Sequence, residues 1–264
     1  MSSKREPYPT DLNDKAWAVI EPLFPQVRKT KPRKYELREI ADAIFYITRA
    51  GCAWRMLPTN FPPWRRVYFY YWWWSGSGLW ERINMAFVER ARKKSGRRPK
   101  PSMVLMDSQS VRTANGGEQI GIDGHKKING RKRHLVTDTL GNILAVHVTA
   151  ANVADSVGGW KSLQRLAKQW TGQQIRLSTI LADKAYASLV TTIMVVYGWC
   201  LKTPAKRKPG TKGFVVQKFR WVIERTNAWQ GRYRRLSKDY EHTVVSSREM
   251  SYIASVHRLA SRIR

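Results

Sequence analysis

The sequence is short of cysteine, of long apolar runs and of acid. Only 2 cysteines occur in 264 residues. Cys52 and Cys200 fall in stretches that read as helix and strand, which excludes a disulfide framework and a zinc cluster built on thiolates. The histidines (His125, His134, His147, His242, His257) show no HxxxH or HxH ligand spacing. The most concentrated apolar run, Val67 to Trp74, is far below the ~20 residues of a spanning helix. The opening Met1-Ser2-Ser3-Lys4-Arg5 does not lead into an apolar signal core, so a cytoplasmic protein with no membrane partner is expected. Acid is the most informative shortage: 19 Asp+Glu face 48 Lys+Arg, a net charge of +29. With 42% hydrophobic residues and 12 Trp the chain has material for packed cores, so a disordered basic tail is excluded. A folded protein this basic calls for a polyanion, with nucleic acid first.

Texture changes near residue 100. Before it the pattern is helical: a segment capped at Thr10 or Asn13 and ended by Pro25, a helix from about Tyr35 to Ala50 stopped by Gly51, a third from Pro62-Pro63 to Trp74, and a fourth after Ser75-Gly76-Ser77-Gly78. Arg interleaved with Trp, including Arg65 and Arg66 beside Trp64, suits a helix-turn-helix-like DNA-binding domain over residues 1–91. The competing reading makes Trp72, Trp73 and Trp74 simple core. Residues 92–101 form a basic linker. After it, Met103 to Met106 reads as a buried strand, Arg133–Thr137 and Ile143–Thr149 as a hairpin, Thr179–Ala182 and Trp199–Lys202 as strands, with helices from Asp155 or Ser156, over 188–197, over 217–235 and over 247–264. This predicts an α/β domain over 102–264 with a mixed sheet.

Most acids there have plain explanations: Asp123 and Asp138 in turns, Asp155 as a helix cap, Glu118 in a Gly-rich loop, Asp239 and Glu241 in surface pairs. Asp107 and Asp183 differ, because each directly follows a short apolar strand, where ligand groups converge in an open sheet. If the strands are neighbours, both carboxylates enter one crevice, and a hard divalent cation such as Mg²⁺ or Mn²⁺ relieves their repulsion. Glu224 is the third candidate, alone in a helix with Lys218, Arg220, Arg225, Arg232, Arg234 and Arg235.

The stretches Met106-Asp107-Ser108-Gln109-Ser110-Val111, Leu181-Ala182-Asp183-Lys184-Ala185-Tyr186 and Trp221-Val222-Ile223-Glu224-Arg225-Thr226-Asn227-Ala228-Trp229 resemble the three catalytic blocks of the DDE transposases of bacterial insertion sequences (IS4/IS5-like). The connecting run from Gly121 to His134 is similar too. The resemblance covers nearly the whole chain. It implies an RNase H-like mixed five-stranded sheet flanked by helices, in which Asp107, Asp183 and Glu224 are catalytic and hold two Mg²⁺ or Mn²⁺ ions. Of a Tyr-x2-Arg-x3-Glu-x6-Lys signature common in relatives, Arg220 and Glu224 match, but Gln217 and Gly231 replace Tyr and Lys, leaving Arg232 or Arg235 as substitutes.

The implied activity is binding of terminal inverted repeats, hydrolysis at the element ends and transfer of the 3′-hydroxyl to target DNA by two-metal chemistry. A homodimer would synapse two ends, in a protein associated with the nucleoid when bound to DNA. The expected double-stranded DNA contacts are Arg65, Arg66, Lys126, Lys127, Arg131, Lys132, Arg133, Lys184, Arg220, Arg225, Arg232 and Arg235. The alternatives are an RNase H-like nuclease without strand transfer and a non-catalytic DNA-binding protein.

Overall fold

The computed structural model describes residues 5–25, 34–114, 116–204 and 219–263. Its first helices form where periodicity and stop signals agree. Asn13 caps α1 (Asp14–Ile20) by accepting from the Ala16 N–H, and Gly51 ends α2 (Leu37–Ala50) in the left-handed conformation that glycine adopts without steric cost. In α3 (Trp64–Gly76) the tryptophan run divides: Trp74 is core, whereas Trp72 is 65% exposed. Next comes α4 (Leu79–Lys94).

The sheet has six strands: β1 (Met103–Arg112), β2 (Gly121–Asp123), β3 (Ile128–Asp138), β4 (Ile143–Ala150), β5 (Thr179–Leu181) and β6 (Cys200–Lys202). The five expected strands are joined by β2, three residues paired antiparallel with the start of β3. Strand β3 also pairs antiparallel with β4 and β1, and β1 continues in parallel to β5 and β6. A mixed sheet results, with helices packed on it: α5 (Asp155–Gln169) over β3, β4 and β1, and α7 (Arg220–Gly231) against β1. Between them lie α6 (Val190–Tyr197) and, after α7, the short α8 (Arg234–Ser237). The long helix expected over 217–235 is thus broken at Arg232 and Tyr233, and residues 217 and 218 lie outside the described residues.

The last helix, α9 (Val244–Ala260), is buried nearly all round. It packs on β4 and also on α2, α3 and α4, so one hydrophobic cluster joins the N-terminal helices to the sheet. The start of the expected basic linker is built into this body. Arg92 is buried, pairs with Asp138 at 2.7 Å and donates to the Arg98 carbonyl. Among the described residues no helix is long and apolar enough to cross a membrane.

Candidate active site

Strands β1 and β5 run parallel with Leu105 opposite Leu181. Asp107 and Asp183 each lie two residues further on. Side chains alternate across a strand, so equal spacing from a register pair sends both carboxylates to one face. They line a cleft of about 220 Å³ with Met106, Ala182, Lys202 and Ile223. Asp107 does not end its strand as the sequence suggested: β1 continues to Arg112 because its polar side chains find partners inside. Ser108 donates to Asp155 at 2.8 Å and Ser110 donates to Asp123. Asp183 does follow β5, and its carboxylate accepts from the Ala185 N–H at 2.9 Å, opening the 3₁₀ turn Lys184–Leu189.

Helix α7 brings Ile223 to the cleft wall, while the next residue, Glu224, is exposed. Behind the carboxylates Tyr186 is buried, and both burial and the neighbouring Asp107, Asp155 and Asp183 push its phenol pKa up. Its ring lies where any side chain on Gly159 would sit: a Cβ there would come within 2.4 Å. The bare backbone of α5 therefore makes room for this ring, a contact with no signal in the sequence.

The donor chemistry of Asp107 and Asp183 suits a hard divalent cation. Among the described residues no group of three His, Cys, Asp or Glu stands close enough to hold a metal ion, so Glu224 does not close the set in this arrangement.

The expected DNA contacts divide. Arg65, Arg66, Lys126, Lys127, Lys184 and Arg232 are exposed, and Arg225 is half-buried, its guanidinium over the Trp221 and Trp229 rings at 4.5 Å. The side chain of Arg220 lies outside the described set. Four expectations are corrected. Arg131 is fully buried, donating to the carbonyls of Glu118, Glu241 and His242 and pairing with Asp239 at 3.3 Å. Arg133 is buried and donates to the Leu236 carbonyl at 2.9 Å. Lys132 pairs with Asp155 at 2.8 Å and Arg235 with Glu241 at 2.7 Å, both inside. These groups are held by internal acceptors, so they do not present themselves to a phosphate. The same contacts correct the surface pairs expected of Asp239 and Glu241, which are 1% and 7% exposed. Asp155 is likewise no cap. It occupies the first turn of α5, where Lys132 lowers its pKa against the opposing effect of burial.

A mixed sheet with paired carboxylates at a parallel strand pair, on a strongly basic chain, defines a nucleic-acid-processing domain of the α/β class. Residues 98–259 match the family described as "Transposase DDE domain", and residues 12–84 match one described as "Putative transposase of IS4/5 family". The chain belongs to the DDE transposases of IS4/5 type. It is also 32% identical over 115 residues to the "Putative transposase for insertion sequence element IS402" of Burkholderia cepacia. That match takes in 42% of this chain and 54% of the relative, so the chain spans about half the length of the curated relative it matches. No solved structure matches the chain.

Proposed function

We propose that the chain is the transposase of its own insertion sequence: it binds the terminal inverted repeats, cleaves DNA at the element ends and joins the freed 3′-hydroxyl to target DNA. The observation that carries this reading is the register of β1 and β5, which delivers Asp107 and Asp183 into one cleft within the DDE-matched region. The strand order β4-β3-β1-β5-β6 supports an RNase H-like domain.

On this reading Asp107 and Asp183 would hold divalent Mg²⁺ or Mn²⁺ at the cleft, and Glu224 would complete the set only once α7 brings it closer than in this arrangement. When bound there, such ions would supply Lewis acidity for phosphodiester chemistry. Asp107 and Asp183 are positioned by the sheet, and Glu224 is carried by α7. Lys202 at the cleft rim and Lys184 beside Asp183 attract the scissile strand. The exposed Arg65 and Arg66 hold the repeat through the N-terminal helices, and Lys126 and Lys127 hold backbone phosphates. A homodimer synapses two ends.

The test is incubation with a labelled duplex carrying an element end in Mg²⁺ or Mn²⁺, beside Glu224→Gln. Metal-dependent cleavage that the substitution abolishes is expected, and a plasmid target in the same tube detects strand transfer. Equal cleavage by both proteins, or binding without cleavage, sinks the reading.

A further inference from the structure

A second cationic site lies on α7, away from the carboxylates. Trp229 is five residues beyond Glu224, which at helical pitch is about 7.5 Å along the axis and roughly 140° around it. Its ring is flanked by three guanidinium groups: Arg258 at 4.2 Å, Arg225 at 4.5 Å and Arg262 at 5.3 Å from the centroid. With Arg49 and Arg232, this ring and two of those arginines, Arg258 and Arg262, line an open pocket of about 440 Å³. Its floor is neutral: His257 joins the Tyr233 hydroxyl through Nδ1 and the Thr10 carbonyl through Nε2, and burial lowers its pKa to about 4.

Among the described residues none of these five arginines pairs with a carboxylate. Arg49 donates to the Arg232 carbonyl, Arg225 to that of Leu140, and Arg258 to the Gly141 carbonyl and the Asn142 side chain. The nearby Asp138 is engaged by Arg92. Nη1 of Arg258 is buried and has no hydrogen-bond partner among the described residues. Burial and the adjacent Arg262 lower the Arg258 pKa to about 10, so it stays cationic at neutral pH. Like charges gathered around one ring repel one another, and the exposed guanidinium groups of Arg49, Arg232 and Arg262 present to the pocket planar donor forks shaped for an oxyanion.

We propose that this pocket is a phosphate-binding site separate from the carboxylate cleft, and that it takes a phosphodiester of the DNA backbone. The assignment rests on the reading of the protein as DNA-binding. It adds Arg49, Arg258 and Arg262, residues from α2 and the C-terminal end of the chain, to the DNA contacts. Cation–π stacking on Trp229 holds the guanidinium groups in place. A strand leaving the cleft is gripped again on the far side of α7.

The test uses the full chain with a duplex of about 20 base pairs and compares two charge-matched double variants. Arg232→Gln/Arg262→Gln changes two exposed pocket residues. Lys161→Gln/Lys168→Gln changes two exposed residues of α5. Circular dichroism confirms folding. In salt titrations of affinity, the pocket pair lowers the log–log slope by about 0.9, the value for the one phosphate held there, and the α5 pair leaves it unchanged. Equal loss in both variants, or loss in neither, overturns the pocket. In the second arm an arginine-modifying dicarbonyl is read by mass spectrometry. Duplex protects Arg232 and Arg262, and inorganic pyrophosphate does not. Equal protection by pyrophosphate makes the occupant a free phosphate compound and overturns the DNA assignment. Wild-type protein that binds no duplex fails the underlying DNA reading, whereas a double variant with unchanged slope fails this proposal alone.

Discussion

Lys126 and Arg131 belong to one basic run, from His125 to His134, and the fold uses them in opposite ways. Lys126 and Lys127 lie in the exposed turn between β2 and β3, facing water. Arg131, Lys132, Arg133 and His134 are all buried in β3, the strand that binds β1, β2 and β4 together. Charge alone does not distinguish them. What does is the set of acceptors that the rest of the chain brings up: two acids and four carbonyls around Arg131 and Lys132, against open solvent five residues earlier. A high positive charge is therefore a guide to DNA contacts only after the internally paired cations are subtracted.

The largest effect should come from the deepest member of the buried half. Arg131→Met removes a guanidinium that satisfies the Glu118, Glu241 and His242 carbonyls and leaves Asp239 buried beside an apolar chain. Removing one partner of a buried pair costs about 3–5 kcal/mol. Urea denaturation should show that loss, or no soluble folded protein. Equal stability of wild type and variant would break the contrast, because it would place Arg131 with the turn lysines.

A pair of glycines sharpens the same comparison at a smaller scale. Gly158, on α5, lies against the His134 ring, where an added Cβ would come within 2.0 Å. Gly124, in the exposed turn, has nothing within 4 Å of such an atom. Overpacking at the first site costs about 1–3 kcal/mol, and the second change stays within about 0.5 kcal/mol. Thermal unfolding of Gly158→Ala and Gly124→Ala should therefore diverge, and matching midpoints would show that α5 yields to the methyl group.

Much of this arrangement was legible in the sequence, and its gaps have physical causes. Helix boundaries followed local signals, Asn13 as a cap and Gly51 as a stop, so they were readable. Asp107 and Asp183 stood out because few acids follow apolar runs here. The length of β1 is hidden because Ser108, Gln109 and Ser110 look like a solvated loop until Asp155 and Asp123 arrive to accept from the two serine hydroxyls. The burial of Arg131 is hidden for the same reason, since Asp239 is 108 residues away in sequence. The pocket around Trp229 is assembled from α2, α7 and α9, and no local pattern announces it. Glu224 was singled out by its basic surroundings, yet its distance from the two aspartates is a tertiary property.

The His134 imidazole tests the buried half by pH. Burial lowers its pKa to about 3 from an ordinary value of 6.5. The folded state thus keeps it neutral while the unfolded chain takes up a proton below pH 6.5. Its contribution is complete above pH 6.5 and is lost progressively as pH falls toward 3, by about 1 kcal/mol between pH 6.5 and 5.5. Glu249, raised to about 7 by burial, acts in the opposite sense and gains on acidification. Comparing wild type with His134→Gln cancels that term. The variant should lose about 1 kcal/mol less over this interval, and identical pH profiles would mean that His134 is solvated in the native protein.

The smallest effect on stability is expected in the exposed half, and there the readout changes. Lys127 sits at φ +51°, a left-handed turn position, and Lys126 precedes it, with both side chains in water. Both are exposed, so Lys126→Gln/Lys127→Gln should shift the unfolding free energy by less than about 0.5 kcal/mol. On the proposed DNA-binding reading the two lysines would neutralise two phosphates, and losing them would lower the salt-dependence slope of duplex binding by about 1.8. Stability held while the slope falls is the reverse of the outcome expected for Arg131. If the slope also holds, the turn faces away from the bound duplex, and the phosphate contacts must come from the N-terminal helices, the cleft rim and the arginines around Trp229.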